Sequence, residues 1–184
     1  MDRNNWVDEV LHFWFGELTP QDWYTVKAGT DAAVRDRFGQ LYREMFAAPP
    51  AEARSDPDAA LAAIILFDQF PRNMFRGKPE AFGSDDLAAD LARNALDRGF
   101  DDKVAADRKQ FIYMPLMHSE VLADQEHCVL LFRTLGSEEN LKYAIEHRDI
   151  IARFGRFPHR NRVLGRESSA AERAFLAGHA GYGQ

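Results

Sequence analysis

The stretch "DPDAALAAIILFDQFPRNMFRG", residues 56–77, sets the fold class. Asp56 has the side chain of a helix cap. Pro57 suits the first helical position, where its missing N–H costs nothing. Leu61, Ile64, Ile65 and Asp68 recur at helical spacing until Pro71, which lacks the donor that a continuing helix needs, breaks the run. The segment then crowds Arg72, Asn73 and Arg76 among aromatic residues. A second segment, "RFGRFPHRNRVLGR" at residues 153–166, repeats the combination of Phe-Pro with Arg-Asn.

Outward from residue 56 the pattern stays helical. Asn4 or Asn5 caps a helix from Trp6 to about Phe15, with Val7, Val10, Leu11 and Trp14 as its stripe and Gly16 as its end. "ELTPQDWYTVKAG" reads as a loop or short turn. Thr30 opens a helix carrying Val34, Phe38, Leu41, Tyr42 and Met45, and "AAPPAEARSDPD" is a surface linker. Ser84, followed by Asp85 and Asp86, starts a helix that reaches Gly99 with acids at its positive end. Another begins near Asp102 or Val104 and meets Pro115. A third runs from about Ser119 to Leu135, and a fourth from Ser137 to near Gly155. Ser169 and Glu172 have capping-box spacing for a short last helix. The tail near residues 178–184 reads as frayed. No period-two alternation and no Asn-Gly hairpin signal occurs. The expectation is one all-α domain, residues 1–184. Seven to eight helices in antiparallel pairs would form a tetratricopeptide-like array or a bundle.

The chain has 184 residues, 46% apolar and 28% charged, ordinary values for a globular domain able to bury a core. With one cysteine, Cys128, it holds no internal disulfide and no cysteine-built metal cage. No apolar run approaches the ~20 residues of a membrane span. "MDRNNWVDEV" lacks the basic start and apolar stretch of a signal peptide, so the location reads as cytoplasmic. The net charge of −6 argues against nucleic acid as a partner. The charge is uneven, however. Residues 1–69 hold 12 acids against 6 bases, whereas residues 147–166 hold six arginines against Asp149 alone.

Several long blocks resemble one family. They are "VLHFWFG" (10–16), "LFDQFPRNMFRG" (66–77), "AFGSDDLA" (81–88), "RKQFIYMPLMHSE" (108–120), "ADQE" (123–126), "HRDIIARFGRFPHRNRVLGRESS" (147–169) and "ERAFL" (172–176). Together they are similar to the bacterial domain-of-unknown-function family number 924. The resemblance implies an all-helical, tetratricopeptide-like fold and implies no activity. Relative to the family pattern the Pro/Ala-rich segment 47–57 is short, which bears on loop conformation.

The residues themselves allow three readings of function. Arginine forks bind carboxylate or phosphate through paired hydrogen bonds, and Asn adds a donor and an acceptor. Asp68, Arg72, Asn73, Arg76, Arg148, Arg156, His159, Arg160 and Asn161 would then form a binding site for an anionic small molecule or a peptide carboxylate. The same arginines fit an architectural account equally, paired with Asp68, Glu120, Asp124 or Glu126 to staple helix ends. Thirdly, His118, Glu120 and His147 offer acid–base groups for a hydrolase or transferase. Imidazole and carboxylate also suit zinc, manganese or iron, but neither HExxH nor a three-ligand spacing is present, so no metal or cofactor is assigned. GxSxG, GxxxxGK[ST] and GxGxxG are absent. Cys128 lies on an apolar helix face and reads as buried and inert. Trp6, Trp14 and Trp23 read as core or groove wall.

Overall fold

The computed structural model describes residues 5–179 and residue 181, and among them every regular element is helical. In chain order these are α1 (Trp6–His12), α2 (Pro20–Tyr24), α3 (Ala28–Ala47), α4 (Pro57–Ile64), α5 (Phe70–Met74), α6 (Asp85–Asp97), α7 (Lys109–His118), α8 (Leu122–Leu135), α9 (Glu138–Phe154) and α10 (Ala170–Leu176). Asn4 and most of the tail expected to fray lie outside the described residues.

α4 is the centre. Ala59 to Phe67 are all buried, so this helix has no solvent face and must be enclosed on every side. α1, α6 and α7 pack against it, and α3 packs against α5. The successive pairs α6–α7, α7–α8 and α8–α9 also pack together. The helical pairs therefore close around α4 into a bundle, since a one-dimensional array would leave each element touching only its neighbours. Phe13, Trp14, Phe38, Phe67, Phe70, Phe111 and Phe132 fill the main core. Ile150, Ile151 and Phe157, with Phe154 and Phe175 against them, form a smaller second core near the C-terminus.

Local chemistry explains most boundaries. The Asp56 carboxylate accepts from Ala59 N at 2.9 Å ahead of Pro57, as the cap pattern requires. Ser169 and Glu172 form their capping box. Gly136 and Gly155 take φ of 74° and 69°, the left-handed conformation that ends α8 and α9 and that glycine adopts without strain.

Other boundaries differ from expectation. Pro71 does not break the run. A π-helical turn, Ile65–Gln69, joins α4 to α5, and Pro71 sits in the first turn of α5. Pro71 has no N–H to aim at the Phe67 carbonyl, and Ser84 Oγ donates to that carbonyl instead, at 2.6 Å. Ser84, expected as a cap, therefore makes no cap bond to α6. Gly16 does not end α1, which passes into a π-helical turn, Phe13–Glu17. "TPQDWY" holds a real helix, α2, closed by a Thr19–Asp22 capping box. α3 starts at Ala28, ahead of Thr30. α7 starts at Lys109 and runs through Pro115, and α8 starts at Leu122. Segment 47–57 is partly structured: Ala53 is buried, and Glu52 accepts from Trp6 Nε1 at 3.2 Å.

Candidate functional site

Asp68 sits in the π-helical turn with 0% exposure. Its Oδ1 lies 2.7 Å from His118 Nδ1 at the end of α7, and its Oδ2 accepts from Gln69 Nε2 at 2.5 Å. Arg72, one helical turn on, donates to the Asp68 carbonyl and has Nη1 3.3 Å from Oδ1. Arg72 also forks onto Asp85 of α6, at 3.0 and 3.1 Å. Arg160 reaches the same carboxylate from the other side, Nη1 to Oδ2 at 3.0 Å, and donates from Nη2 to the His118 carbonyl at 3.1 Å. Its guanidinium lies 4.5 Å from the Phe82 ring centre and 4.6 Å from that of Phe157.

Two guanidiniums and two carboxylates thus form a charge-matched box beneath His118. Burial alone would raise the Asp68 carboxyl, but His118, Arg72 and the N–H donors of His118 and Gln69 bring it below the usual carboxylate range. For Arg72, burial is outweighed by Asp85 and Asp68, which hold its proton more firmly. Burial lowers Arg160 to about 10, still cationic at neutral pH. Burial, and then Arg72, holds His118 below its ordinary value even against Asp68. A neutral His118 beside an ionised Asp68 must carry its proton on Nδ1, which leaves Nε2 as an acceptor.

Above this floor is a cleft of about 520 Å³. α2 supplies Trp23 and Tyr24, the π-turn Gln69, α5 Arg72, and α7 Gln110, Met114, Met117 and His118. The first turns of α9 and its cap supply Ser137, Glu139 and Asn140, with Tyr143 and His147 further along. The walls are braced from behind. Trp23 Nε1 donates to the Trp14 carbonyl at 2.9 Å, and the Trp23 ring lies 5.0 Å from Phe111. Gln110 Oε1 accepts from Tyr24 OH at 2.7 Å and from Asn140 Nδ2 at 3.0 Å, pinning α2, α7 and α9 together. His147 Nδ1 lies 2.8 Å from the Tyr143 carbonyl, and burial pushes the ring down to about 3, so it stays neutral.

The family model for bacterial proteins of unknown function designated DUF924 matches residues 10–180. The chain belongs to the DUF924 family. A solved structure of a protein of unknown function from Agrobacterium tumefaciens is similar to this DUF924 chain at 35% identity and a TM-score of 0.90, covering 97% of this chain and 100% of that one. No curated protein matches the sequence.

Of the residues singled out in the sequence, Asp68, Arg72 and His118 meet at the cleft floor, with Arg160 behind them and His147 on a wall. The others go elsewhere in this DUF924 protein. Asn73 and Arg76 turn to Asp31 of α3, at 2.8 and 3.0 Å. Glu120 is held by Arg166 through two bonds and accepts from Phe157 N at 2.8 Å, away from His118. Asn161 accepts from Arg166 Nε, Arg156 forks onto Glu172, and Arg148 pairs with neighbouring Asp149 at the surface. His159 lies against Phe157, 5.4 Å between ring centres. Among the described residues no three His, Cys, Asp or Glu side chains are grouped to hold a metal, and no helix is long and apolar enough to cross a membrane. Asp85, Gln69, Gln110 and Asn140 were not singled out as site residues. Asp85 read as a helix-start acid, and nothing local distinguishes that role from a tertiary ion pair.

Proposed function

We propose that the cleft is a small-molecule site in which His118 acts as general base and Asp68 as its positioning partner, in an enzyme of hydrolase or transferase type. One observation carries the reading: a fully buried carboxylate 2.7 Å from His118 Nδ1, at the floor of a cleft that His118 lines. Asp68 fixes the tautomer, so Nε2 is the nitrogen left to accept a proton from a substrate hydroxyl or water. The cleft volume suits a small ligand, and its mixture of aromatic, thioether and amide groups is the usual composition of such sites. Arg72 and Arg160 are engaged by Asp68 and Asp85, so they serve as scaffold: one steadies Asp68, the other the His118 backbone. The arginines are therefore read as architecture, in place of hooks for an anion.

A thermal-shift screen of a metabolite panel tests this on wild type, His118→Ala and Arg148→Ala, the last a surface control. Compounds that stabilise the wild type and Arg148→Ala but not His118→Ala are expected, and turnover of such a compound should disappear with His118. Hits that remain unchanged in a folded His118→Ala protein would refute the assignment.

A further inference from the structure

The cleft lining offers hydrogen-bond donors and acceptors together. Gln69 Nε2 faces the Asp68 carboxylate, so its Oε1 is an acceptor. His118 Nε2 is another, because Nδ1 holds the proton toward Asp68. Gln110 Nε2 donates to the Asp107 carbonyl at 2.8 Å, so the atom that meets Asn140 is oxygen. That bond takes one of the two Asn140 N–H groups. It leaves the second N–H beside Oδ1, a donor and an acceptor on one amide. Ser137 makes no cap bond with its side chain, and Tyr143 is 42% exposed, so both hydroxyls stand open to the cleft they line. Each of these hydroxyls can donate and accept. Arg72 Nε is a further N–H donor, buried on a lining residue and without a hydrogen-bond partner.

Charge is balanced in the same place. The Arg72 guanidinium is answered by Asp68 and Asp85, and the box they form with Arg160 is neutral as a unit. His118 and His147 are neutral imidazoles. Glu139 is an exposed carboxylate at the rim and opposes an anion, while the Arg72 guanidinium at the floor opposes a cation. The group that suits such a lining is uncharged and both gives and takes hydrogen bonds. Hydroxyls and amides do so. The acceptor His118 Nε2 favours the hydroxyl, whose proton a general base can draw off to make a nucleophile. The rest of the wall is Trp23, Tyr24 and the Tyr143 ring. The C–H groups on the face of a sugar ring are polarised by the neighbouring oxygens and rest against the electron-rich faces of aromatic side chains.

We infer that the ligand of this cleft is a small uncharged polyhydroxyl ring, a monosaccharide or a cyclitol. Its hydroxyls are taken by Gln69, Asn140, Ser137 and Tyr143, with one at His118 Nε2, and its C–H face lies against the aromatic side chains of α2. This rests on the small-molecule reading of the cleft and specifies its ligand class.

Ring compounds of similar size separate the possibilities, each titrated by NMR into the labelled full chain. The neutral set is the methyl pyranosides of glucose, galactose and mannose, with myo-inositol. The charged set is cyclohexylamine and cyclohexanecarboxylate. At least one neutral ring should move the Trp23 indole and the Gln69 and Asn140 amide signals, and bind about tenfold tighter than either charged ring. Ser137→Ala and Tyr143→Phe each remove a hydroxyl from an open position. Each should weaken the best neutral ring about two- to tenfold, the loss of one hydrogen bond. If both variants bind that ring as the wild type does, the hydroxyls take no part and the inference falls. If a charged ring binds at the cleft as tightly as the best neutral one, or binds alone, the ligand class is wrong while the cleft remains a small-molecule site. If no compound of either set moves a cleft signal, both the ligand class and the small-molecule reading are overturned.

Discussion

Asp68 and His147 show how single residues set the pH response. Both are buried and both are deprotonated at neutral pH, for opposite reasons of charge: Asp68 is kept ionised by its partners, and His147 is kept neutral by burial. His147 has a folded pKa of about 3, and His159, chiefly through burial and then Arg160, about 4. Below about pH 6.5 an unfolded imidazole binds a proton that the folded one refuses. Their stabilising contribution is therefore complete above about 6.5 and declines as pH falls toward the folded values. The expected loss is roughly 1.4 kcal/mol per pH unit for each such imidazole. Asp68 and Glu120, both lowered, contribute stability above the ordinary carboxylate pKa of about 4 and lose it only as pH falls further. Urea unfolding from pH 7 to 4 should therefore show a slope that His147→Gln makes shallower. An unchanged slope would mean that His147 is already solvated in the folded protein.

At the scale of an element, the join between α4 and α5 is the informative feature. "IILFDQFPRN" contains a proline, and the sequence alone favours a stop there. The chain continues because a π-helical turn precedes Pro71 and because Ser84, on the N-terminal side of α6, takes over the Phe67 carbonyl. The insertion also places Asp68 toward His118 and Arg72 toward Asp85. Ser84→Ala strips a buried carbonyl of its donor and should cost about 1–3 kcal/mol. Pro71→Ala restores an N–H near that carbonyl, so Ser84→Ala should cost less in that background. Chemical denaturation of the four proteins of this cycle measures the coupling, and strict additivity would show that the two residues do not share the carbonyl. The element α2 offers the converse lesson. Its Thr19–Asp22 box and Pro20 were readable as a helix start, but five residues give too little periodicity to register as a helix.

Across the whole molecule, Asp85 is the meeting point. It joins α5 through Arg72 and the C-terminal segment through Arg160, which in turn holds the end of α7. The six arginines of residues 147–166 therefore differ greatly in weight. Arg160→Ala leaves Asp85 half-matched in the interior and should destabilise by about 3–5 kcal/mol. Arg148→Ala removes a surface pair with Asp149 and should cost about 0–1 kcal/mol. Equal effects in denaturant titrations would contradict the box as a structural unit. Arg160 also lies 4.6 Å from the ring centre of Phe157, so one side chain touches both the second core and Asp85.

By itself the sequence determined the helical class, the Asp56 and Ser169 caps, and the glycine stops after α8 and α9. These follow from side-chain spacing and local hydrogen bonding, which operate within a few residues. It also offered an unread sign: every residue from Ala59 to Phe67 is apolar, the mark of a helix with no solvent face. Only the tertiary structure decided which arginine meets which carboxylate. Long cationic side chains reach partners tens of residues away, and many pairings satisfy the same local pattern. Asp85 answering Arg72 and Arg160, Asp31 answering Arg76, and Glu120 leaving His118 for Arg166 depend on how whole helices pack. The cleft is likewise a product of five elements meeting, α2, the π-helical turn, α5, α7 and α9, with no counterpart in any one stretch of chain.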